Sequence, residues 1–167
     1  ARLSSNFGGL SGSVSLNLLS KDADRGFEIL RAVLAAPSFQ EDKLALRKTQ
    51  ALQGLKQRND NSSSIESRER NFLAYGDDFW FNRHTTAASL ESISREDLLE
   101  FHHEWVHPRN FILSVSGDFD RDAMLKRLDG VFAAWPHSGK KTPPVPQSET
   151  YGKPGVYIVN KDVNQGR

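Results

Sequence analysis

The sequence contains no cysteine, and this absence excludes three kinds of chemistry. A chain of 167 residues without a thiol forms no disulfide, has no thiolate nucleophile and builds no cysteine zinc site. An excess of one charge is also missing: 22 Lys and Arg residues stand against 21 Asp and Glu residues, so no bulk attraction to nucleic acid or to an anionic membrane is expected. No apolar run approaches the roughly 20 residues of a membrane-spanning helix, so no span is predicted.

The remaining composition is that of a folded chain about one domain in size. Hydrophobic residues make up 37% and aromatic residues 10% of the sequence, which is low but sufficient for a core. The first residue is not methionine, and no signal-peptide pattern follows it. Ala1–Leu3 is typical of the last turn of a helix, and Val156–Val159 is typical of a strand. We therefore expect a piece of a longer protein, which can belong to an enzyme and lack that enzyme's chemistry.

Hydrophobic periodicity predicts an α+β fold. Alternation over Ser13–Leu19 indicates a half-buried strand, and Phe111–Ser116 is the strongest strand pattern in the chain. Capping residues and helical spacing predict helices from Asp22 or Asp24 to Ala36, from Ser38 to about Asn59, from about Ser64 to Tyr75, around Leu90, from Ser94 to Pro108 and from Arg121 to Phe132. The run from 136 to 154 is rich in Pro, Ser, Lys and Gly, which favours a linker without packing. We predict a module at 1–135, a linker at 136–154 and the first strand of a following domain at 155–167.

One motif has the form of a zinc site. His103-Glu104-Trp105-Val106-His107 matches H-E-x-x-H, in which two histidines one turn apart bind zinc and the glutamate polarises a water molecule. Pro108 follows the second histidine directly, and neither the glycine nor the third histidine of the longer zinc-peptidase motif is present. We expect these groups to cap the C-terminal end of a helix. A zinc peptidase built on His103, Glu104 and His107 stays a disfavoured alternative.

An aromatic loop follows the third predicted helix. Phe79-Trp80-Phe81 is predicted to cover the core, and an exposed arrangement would instead mark a surface for a partner. His84 lies in the same loop and is expected to make a structural hydrogen bond, because no partner for a catalytic base is identifiable in the sequence.

The order of several short strings is similar to that of a known family. The matching strings are Leu18–Asp22 before Phe27–Leu30, Pro37–Phe39, Thr86–Leu90 before Ile93–Leu98, Phe101-His102, His107–Asn110, Val115–Phe119 and Trp135-Pro136. In order and spacing, the resemblance covers nearly the whole chain from Leu3 to Val163, and the family it indicates is that of the pitrilysin/insulysin-type zinc metallopeptidases, which include the mitochondrial processing peptidases. The resemblance implies an antiparallel sheet packed against several helices.

The resemblance places the zinc chemistry in a parent protein and none of it in this chain. Enzymes of this family carry an H-x-x-E-H helix, which this sequence lacks, and a later glutamate that completes the zinc site. Aligning on Arg58-Asn59-Asp60 puts Gln53 at the position of that glutamate, and no Glu lies between Asp42 and Ser64. An amide is a poor zinc ligand beside a carboxylate. We therefore assign no catalytic residue and no metal ligand here, and we expect zinc in the parent protein if that protein is active.

The resemblance also implies a place for substrate. In this family the edge strand at the start of the sheet pairs with extended peptide, and by position this strand is Leu3–Phe7. Ser4, Ser5, Asn6 and Phe7 are therefore the candidate substrate-binding residues. A plain edge strand with no ligand fits the same pattern.

The leading hypothesis is a fragment of a zinc-dependent metalloendopeptidase of this type, or of its non-catalytic homologous half. Such a fragment would contribute to a peptide-binding chamber, and its partners would be the remaining halves of the parent protein or a homologous subunit, together with extended peptide. The alternative is a structural module, like the core subunits of respiratory complexes that resemble this family. Cysteine-free homologues of this kind are often exported, which favours the bacterial periplasm.

Overall fold

The computed structural model describes residues 1–133, 135–136, 139–147 and 152–162. The chain forms two compact units, one of Ala1–Gln40 with Ser94–Pro144 and the other of Glu41–Ile93 with Val145–Arg167. Two antiparallel strands and six helices within the described residues confirm the α+β class. The strands are β1 (Arg2–Gly8) and β2 (Ser11–Asn17), and the helices are α1 (Ala23–Ala35), α2 (Glu41–Lys56), α3 (Ser62–Tyr75), α4 (Ala87–Ser92), α5 (Arg95–Trp105) and α6 (Arg121–Phe132). Each described helix is too short or too polar to cross a lipid bilayer.

β1 and β2 form a hairpin in the first unit. They are antiparallel, and the turn between them has two residues. Gly9, the first of these, has a φ of +59°, a left-handed conformation that glycine adopts without strain and that two-residue hairpins require. The prediction that Ala1–Leu3 ends a helix was wrong, because Arg2 and Leu3 begin β1 and have cross-strand partners in β2.

The apolar face of the hairpin packs against α1. Leu3, Val14 and Leu16 are half-buried on this face. Gly26 is buried in α1, and a Cβ there would lie 3.3 Å from Cδ2 of Leu16 and would overlap with Leu18. Because Gly26 has no side chain, α1 can approach Leu16 of β2 and Leu18, which follows β2, closely.

Replacing Gly26 by valine is expected to lower the free energy of unfolding by about 1–3 kcal/mol, because the added methyl groups overpack the contact with Leu16 and Leu18. Gly54→Val is the matched control, since Gly54 is helical in α2 and nothing lies within 4 Å of its Cβ position. Because both glycines are helical, the change in helix propensity is common to the two variants, and the difference between them measures the effect of packing. Urea denaturation of both variants measures the difference, and equal effects would contradict the close contact at Gly26.

α5 and α6 begin at the positions that the sequence predicts. The backbone N–H of Ser94 donates to Oδ2 of Asp97 at 2.7 Å, and the N–H of Asp97 donates to Oγ of Ser94 at 3.0 Å, which completes a capping box. Asp120 caps α6 by accepting from the N–H of Ala123 at 2.8 Å. Such caps satisfy backbone donors that the first turn of a helix leaves without partners.

Three aromatic rings pack together in the first unit. The ring of Trp135 lies 5.7 Å from that of Phe111, edge-on, and 6.0 Å from that of Phe132, stacked. Trp135 is only 7% exposed. Because aromatic side chains bury more apolar area than most others, these rings form a main part of the core of this unit.

Two predicted strands are absent from the described residues. Neither Phe111–Ser116 nor Val156–Val159 pairs with a strand there. Apart from Phe111, their apolar side chains are exposed, to 98% at Ile112, 91% at Val156 and 87% at Ile158. A sequence with strand composition becomes a strand only where a neighbour supplies ladder hydrogen bonds, and in the described ranges β2 pairs with β1 alone. The prediction of a strand at Phe111–Ser116 was therefore wrong. Val156–Val159 forms no ladder within the described residues, and its place as the first strand of a following domain stays a prediction.

α2 begins at Glu41, three residues later than predicted. The guanidinium of Arg95 donates to the carbonyl oxygen of Ser38 at 3.2 Å and to that of Phe39 at 3.1 Å. A helix that began at Ser38 would use these carbonyls for its own i→i+4 bonds. Phe39 has a φ of +40°, which lies outside the right-handed helical region. The long-range contact therefore overrides the local helix signal.

The second unit contains α2, α3 and α4. Asn61 caps α3 by accepting from the N–H of Ser63 at 2.8 Å, and Gly76, with a φ of +78°, follows the last residue of this helix. Nζ of Lys48 donates to the carbonyl oxygen of Glu91 at 3.0 Å and joins α2 to α4. The unit thus combines locally capped helices with a side-chain contact between two of them.

Some residues of the predicted linker make contacts in the first unit. Lys140 forms an ion pair with Glu104 and lies 5.7 Å from the ring centroid of Trp105. Oγ1 of Thr142 donates to Oδ1 of Asn110 at 3.3 Å. The expectation of a run without packing was wrong for these residues, because their cation and hydroxyl find partners on α5 and in the turn after it. The predicted domain boundaries stay a prediction.

Candidate functional site

The outer edge of β1 is the first candidate site. β1 pairs with β2 and, in the part of the chain that is described, with no other strand, so one row of its backbone N–H and C=O groups faces away from the hairpin. Apart from the half-buried Leu3, the residues of β1 are exposed. The predicted strand at Leu3–Phe7 is confirmed, and its role in binding stays a prediction.

The hairpin geometry decides which backbone groups face outwards. The residues on either side of a two-residue turn form a hydrogen-bonded pair, and bonded and non-bonded pairs alternate along an antiparallel ladder. Counting from the turn, the backbone groups of Leu3, Ser5 and Phe7 face the free edge, and those of Ser4 and Asn6 are bonded to β2. An extended segment can add to the free edge as a third strand.

The side chains of the candidate residues lie on two faces of the hairpin. Ser4 and Asn6 lie opposite serines of β2 on a polar face. Phe7 lies on the other face, where its ring fills the space that a Cβ of Gly12 would take, and it is 60% exposed. The four candidates thus combine small polar groups and one aromatic ring with an open backbone edge.

The H-E-x-x-H motif does not lie on one helix. α5 ends at Trp105, so His103 is helical and exposed, whereas His107 lies beyond the helix with a φ of −149° and a ψ of 158°. Residues i and i+4 share a face only within a continuous helix. His107 is also fully buried, with 0% exposure. The two imidazoles are therefore not placed as a pair of zinc ligands.

Two members of the motif have other partners. Nε2 of His107 lies 3.2 Å from Nδ2 of Asn110, which also donates to the carbonyl oxygen of Trp105 at 3.0 Å. Glu104 forms an ion pair with Lys140. Among the described residues, no group of three or more His, Asp or Glu side chains could hold a metal ion. These residues therefore do not fit a zinc ion.

Sequence patterns gave no sign of the role of His102. Its Nε2 lies 2.6 Å from the carbonyl oxygen of Leu34 in the last turn of α1, and its ring packs edge-on against Phe39 at 5.9 Å. A histidine in this position satisfies a carbonyl that the end of a helix leaves without a partner. The contact joins residues 68 positions apart, so no local signal could have revealed it.

Gln53 lies on the exposed surface of α2. Its carbonyl oxygen accepts from the N–H of Gln57 at 3.3 Å, and α2 has no buried residue. The acidic residues nearest to it in sequence are Asp42 and Asp60. That Gln53 stands where related enzymes have a zinc-binding glutamate stays a prediction.

The C-terminal part of the chain matches a known family. Residues 92–167 match the model of a family described as the Peptidase M16 inactive domain. The matched range includes α5 and α6 and does not include β1. No curated protein matches the chain. The match confirms the resemblance found in the sequence and supports a non-catalytic half.

Proposed function

We propose that this chain, whose residues 92–167 match the Peptidase M16 inactive domain, is a non-catalytic half of a pitrilysin-like peptidase and holds extended peptide along β1. The observation that carries the proposal is the open edge of β1, where the backbone groups of Leu3, Ser5 and Phe7 face away from β2. A peptide that binds as a third strand gains backbone hydrogen bonds whatever its sequence. We therefore propose that the edge accepts a broad range of peptides.

The side chains of β1 suit such a surface. Ser4 and Ser5 are small and exposed, so they impose little steric restriction on a neighbouring strand. Phe7 is 60% exposed and offers an apolar face to one side chain of the peptide. Specificity for the peptide sequence would then come from contact with the Phe7 ring, and affinity would come from hydrogen bonds to the backbone of β1.

Peptide cleavage would require a second half. The match to an inactive domain supports a non-catalytic half, and we propose that this half shapes a peptide-binding chamber. We propose that the partner is another half of the same family, from the parent protein or from a homologous subunit. Zinc, if the parent protein is active, would be bound by that other half.

Peptide binding is tested by titrating the isotope-labelled chain with an extended peptide of alternating serine and valine. We expect slower amide exchange at Leu3, Ser5 and Phe7, whose N–H groups face the free edge. Ser4 and Asn6 should change little, because their N–H groups already bond to β2. The same change at all five residues, or no change at any, would contradict binding at this edge.

Ser5→Pro is expected to weaken peptide binding at least roughly fivefold, because proline removes the outward N–H of Ser5. An edge strand tolerates proline at an outward position, so the hairpin should persist. Ser5→Ala is the matched control, since it keeps the N–H and should bind like the unmodified chain. Equal affinities of the two variants, measured by the same titration, would exclude the β1 edge as the binding site.

A structural role is the second candidate function, and exposed apolar side chains favour it. Val156, Tyr157, Ile158 and Val159 follow one another in the chain and are 91%, 52%, 87% and 55% exposed, and a contiguous exposed apolar patch is typical of a surface that contacts other proteins. A purely structural module would not bind peptide at β1 and would gain stability when mixed with a partner half.

A further inference from the structure

Arg2 is the only charged residue of the hairpin. The other residues of β1 and β2 are Leu, Val, Phe, Gly, Ser or Asn, and the next charged residue in the sequence is Lys21. Arg2 is exposed, and among the described residues it forms no ion pair with an acidic side chain. The hairpin therefore carries its charge at the end away from the turn and is neutral along the rest of its length.

The pairing register places the side chain of Arg2 on the polar face of the hairpin. It lies opposite Asn17, on the same face as Ser4 and Asn6. Because bonded and non-bonded pairs alternate from the turn, the backbone groups of Arg2 bond to β2, as those of Ser4 do. An antiparallel third strand would therefore meet Arg2 in a non-hydrogen-bonded pair, in which the two opposed side chains come closest.

The position of Arg2 distinguishes the two ends of a bound peptide. An antiparallel pair is slightly more stable per residue than a parallel one, and in this direction the peptide begins near Gly8 and ends opposite Arg2. An acidic side chain opposite Arg2 is attracted to the guanidinium across the strands, whereas a basic one is repelled. The same acidic side chain at the first position lies opposite Gly8, where the hairpin carries no charge.

We propose that Arg2 selects extended peptides with an acidic residue at the C-terminal end of the bound segment. This inference rests on the proposed binding of peptide along β1, and it adds the class of peptide and the direction in which it lies. The acidic residue stands three positions after the peptide residue opposite Ser5. Backbone hydrogen bonds to the edge accept many sequences, and the charge pair at Arg2 ranks these sequences by affinity.

Three peptides with acetylated and amidated ends, which carry no terminal charge, test this selection on the whole chain. Ser-Val-Ser-Val-Ser-Val-Glu places its glutamate opposite Arg2, a second peptide has lysine in place of this glutamate, and Glu-Val-Ser-Val-Ser-Val-Ser carries the acid at its first position. We expect the first peptide to bind about two- to fivefold more tightly than the third, which is the range for one cross-strand charge pair. The lysine peptide should bind most weakly.

Substitutions at Arg2 are expected to remove or reverse the preference. With Arg2→Gln, the first and third peptides should bind equally, and with Arg2→Glu the lysine peptide should bind more tightly than the first peptide. Lys126→Gln is the matched control, because it removes one positive charge from an exposed position on α6, outside the hairpin. This control should leave the preference for the first peptide unchanged.

Amide exchange at Leu3, Ser5 and Phe7 separates a failure of the selection from a failure of peptide binding. Slower exchange at these residues together with equal affinities for the three peptides would overturn selection by Arg2 and leave binding at β1 in place. A preference for the first peptide that persists in Arg2→Gln would overturn the selection in the same way. Unchanged exchange with all three peptides would overturn both proposals.

Discussion

Replacing Trp135 by alanine is expected to lower the free energy of unfolding by about 3–5 kcal/mol, the range for truncating a large buried aromatic side chain. Trp135 is 7% exposed, and its ring lies 5.7 and 6.0 Å from the rings of Phe111 and Phe132. Truncation leaves a cavity beside both rings and removes their contact. Urea denaturation followed by far-ultraviolet circular dichroism measures the change without relying on tryptophan fluorescence.

Ile112→Ala is the matched control for this substitution. Ile112 neighbours Phe111 in sequence but is 98% exposed, so its truncation should change stability by no more than about 0.5 kcal/mol. A Trp135→Ala chain as stable as the unmodified one would contradict a core that contains Trp135.

His107→Ala is expected to lower the free energy of unfolding by about 2–4 kcal/mol. The side chain is 0% exposed, and its Nε2 lies 3.2 Å from Nδ2 of Asn110. Alanine would leave a cavity and remove one hydrogen bond from the turn that follows α5. The same denaturation experiment measures the loss.

His103→Ala serves as the control, because His103 belongs to the same motif but is exposed on α5. Its effect should stay within about 0.5 kcal/mol. The contrast separates two roles for His107. In a structural role, only His107→Ala lowers the free energy of unfolding. In a paired zinc role, added zinc would stabilise the unmodified chain, and both variants would lose that stabilisation. Similar stability losses for His103→Ala and His107→Ala without metal would contradict the structural role.

Several helices could be predicted because their signals are local. Ser94 and Asp97 lie three positions apart and bond to each other directly, and Asp120 caps α6 within the same short range. Stop signals act locally too, since Pro108 follows soon after the end of α5 at Trp105. Residues that are neighbours in sequence are enough to determine such boundaries.

The wrong predictions depend on residues that are distant in sequence. Phe111–Ser116 has the composition of a strand, but composition does not specify the neighbouring strand that a ladder needs. The late start of α2 depends on Arg95, which bonds to the carbonyl of Phe39 across 56 positions. A local pattern contains no information about such a contact.

The candidate site could be predicted in position but not in detail. The family resemblance indicated a strand at Leu3–Phe7, and the structure contains one. Only the hairpin register separates Ser5, whose backbone faces outwards, from Asn6, whose backbone bonds to β2. Likewise Pro108 indicated that H-E-x-x-H ends in a turn, whereas the complete burial of His107 is a tertiary feature.

The central claim is that this chain has no zinc site of its own. Zinc titration of the whole chain by isothermal calorimetry is the most direct test of this claim. α5 ends at Trp105 and His107 is buried beyond it, so the two histidines do not share a helix face. We predict no zinc binding tighter than micromolar, and the same result for His103→Ala. Stoichiometric binding tighter than micromolar that disappears in His103→Ala would show that the motif holds zinc and would contradict a non-catalytic half.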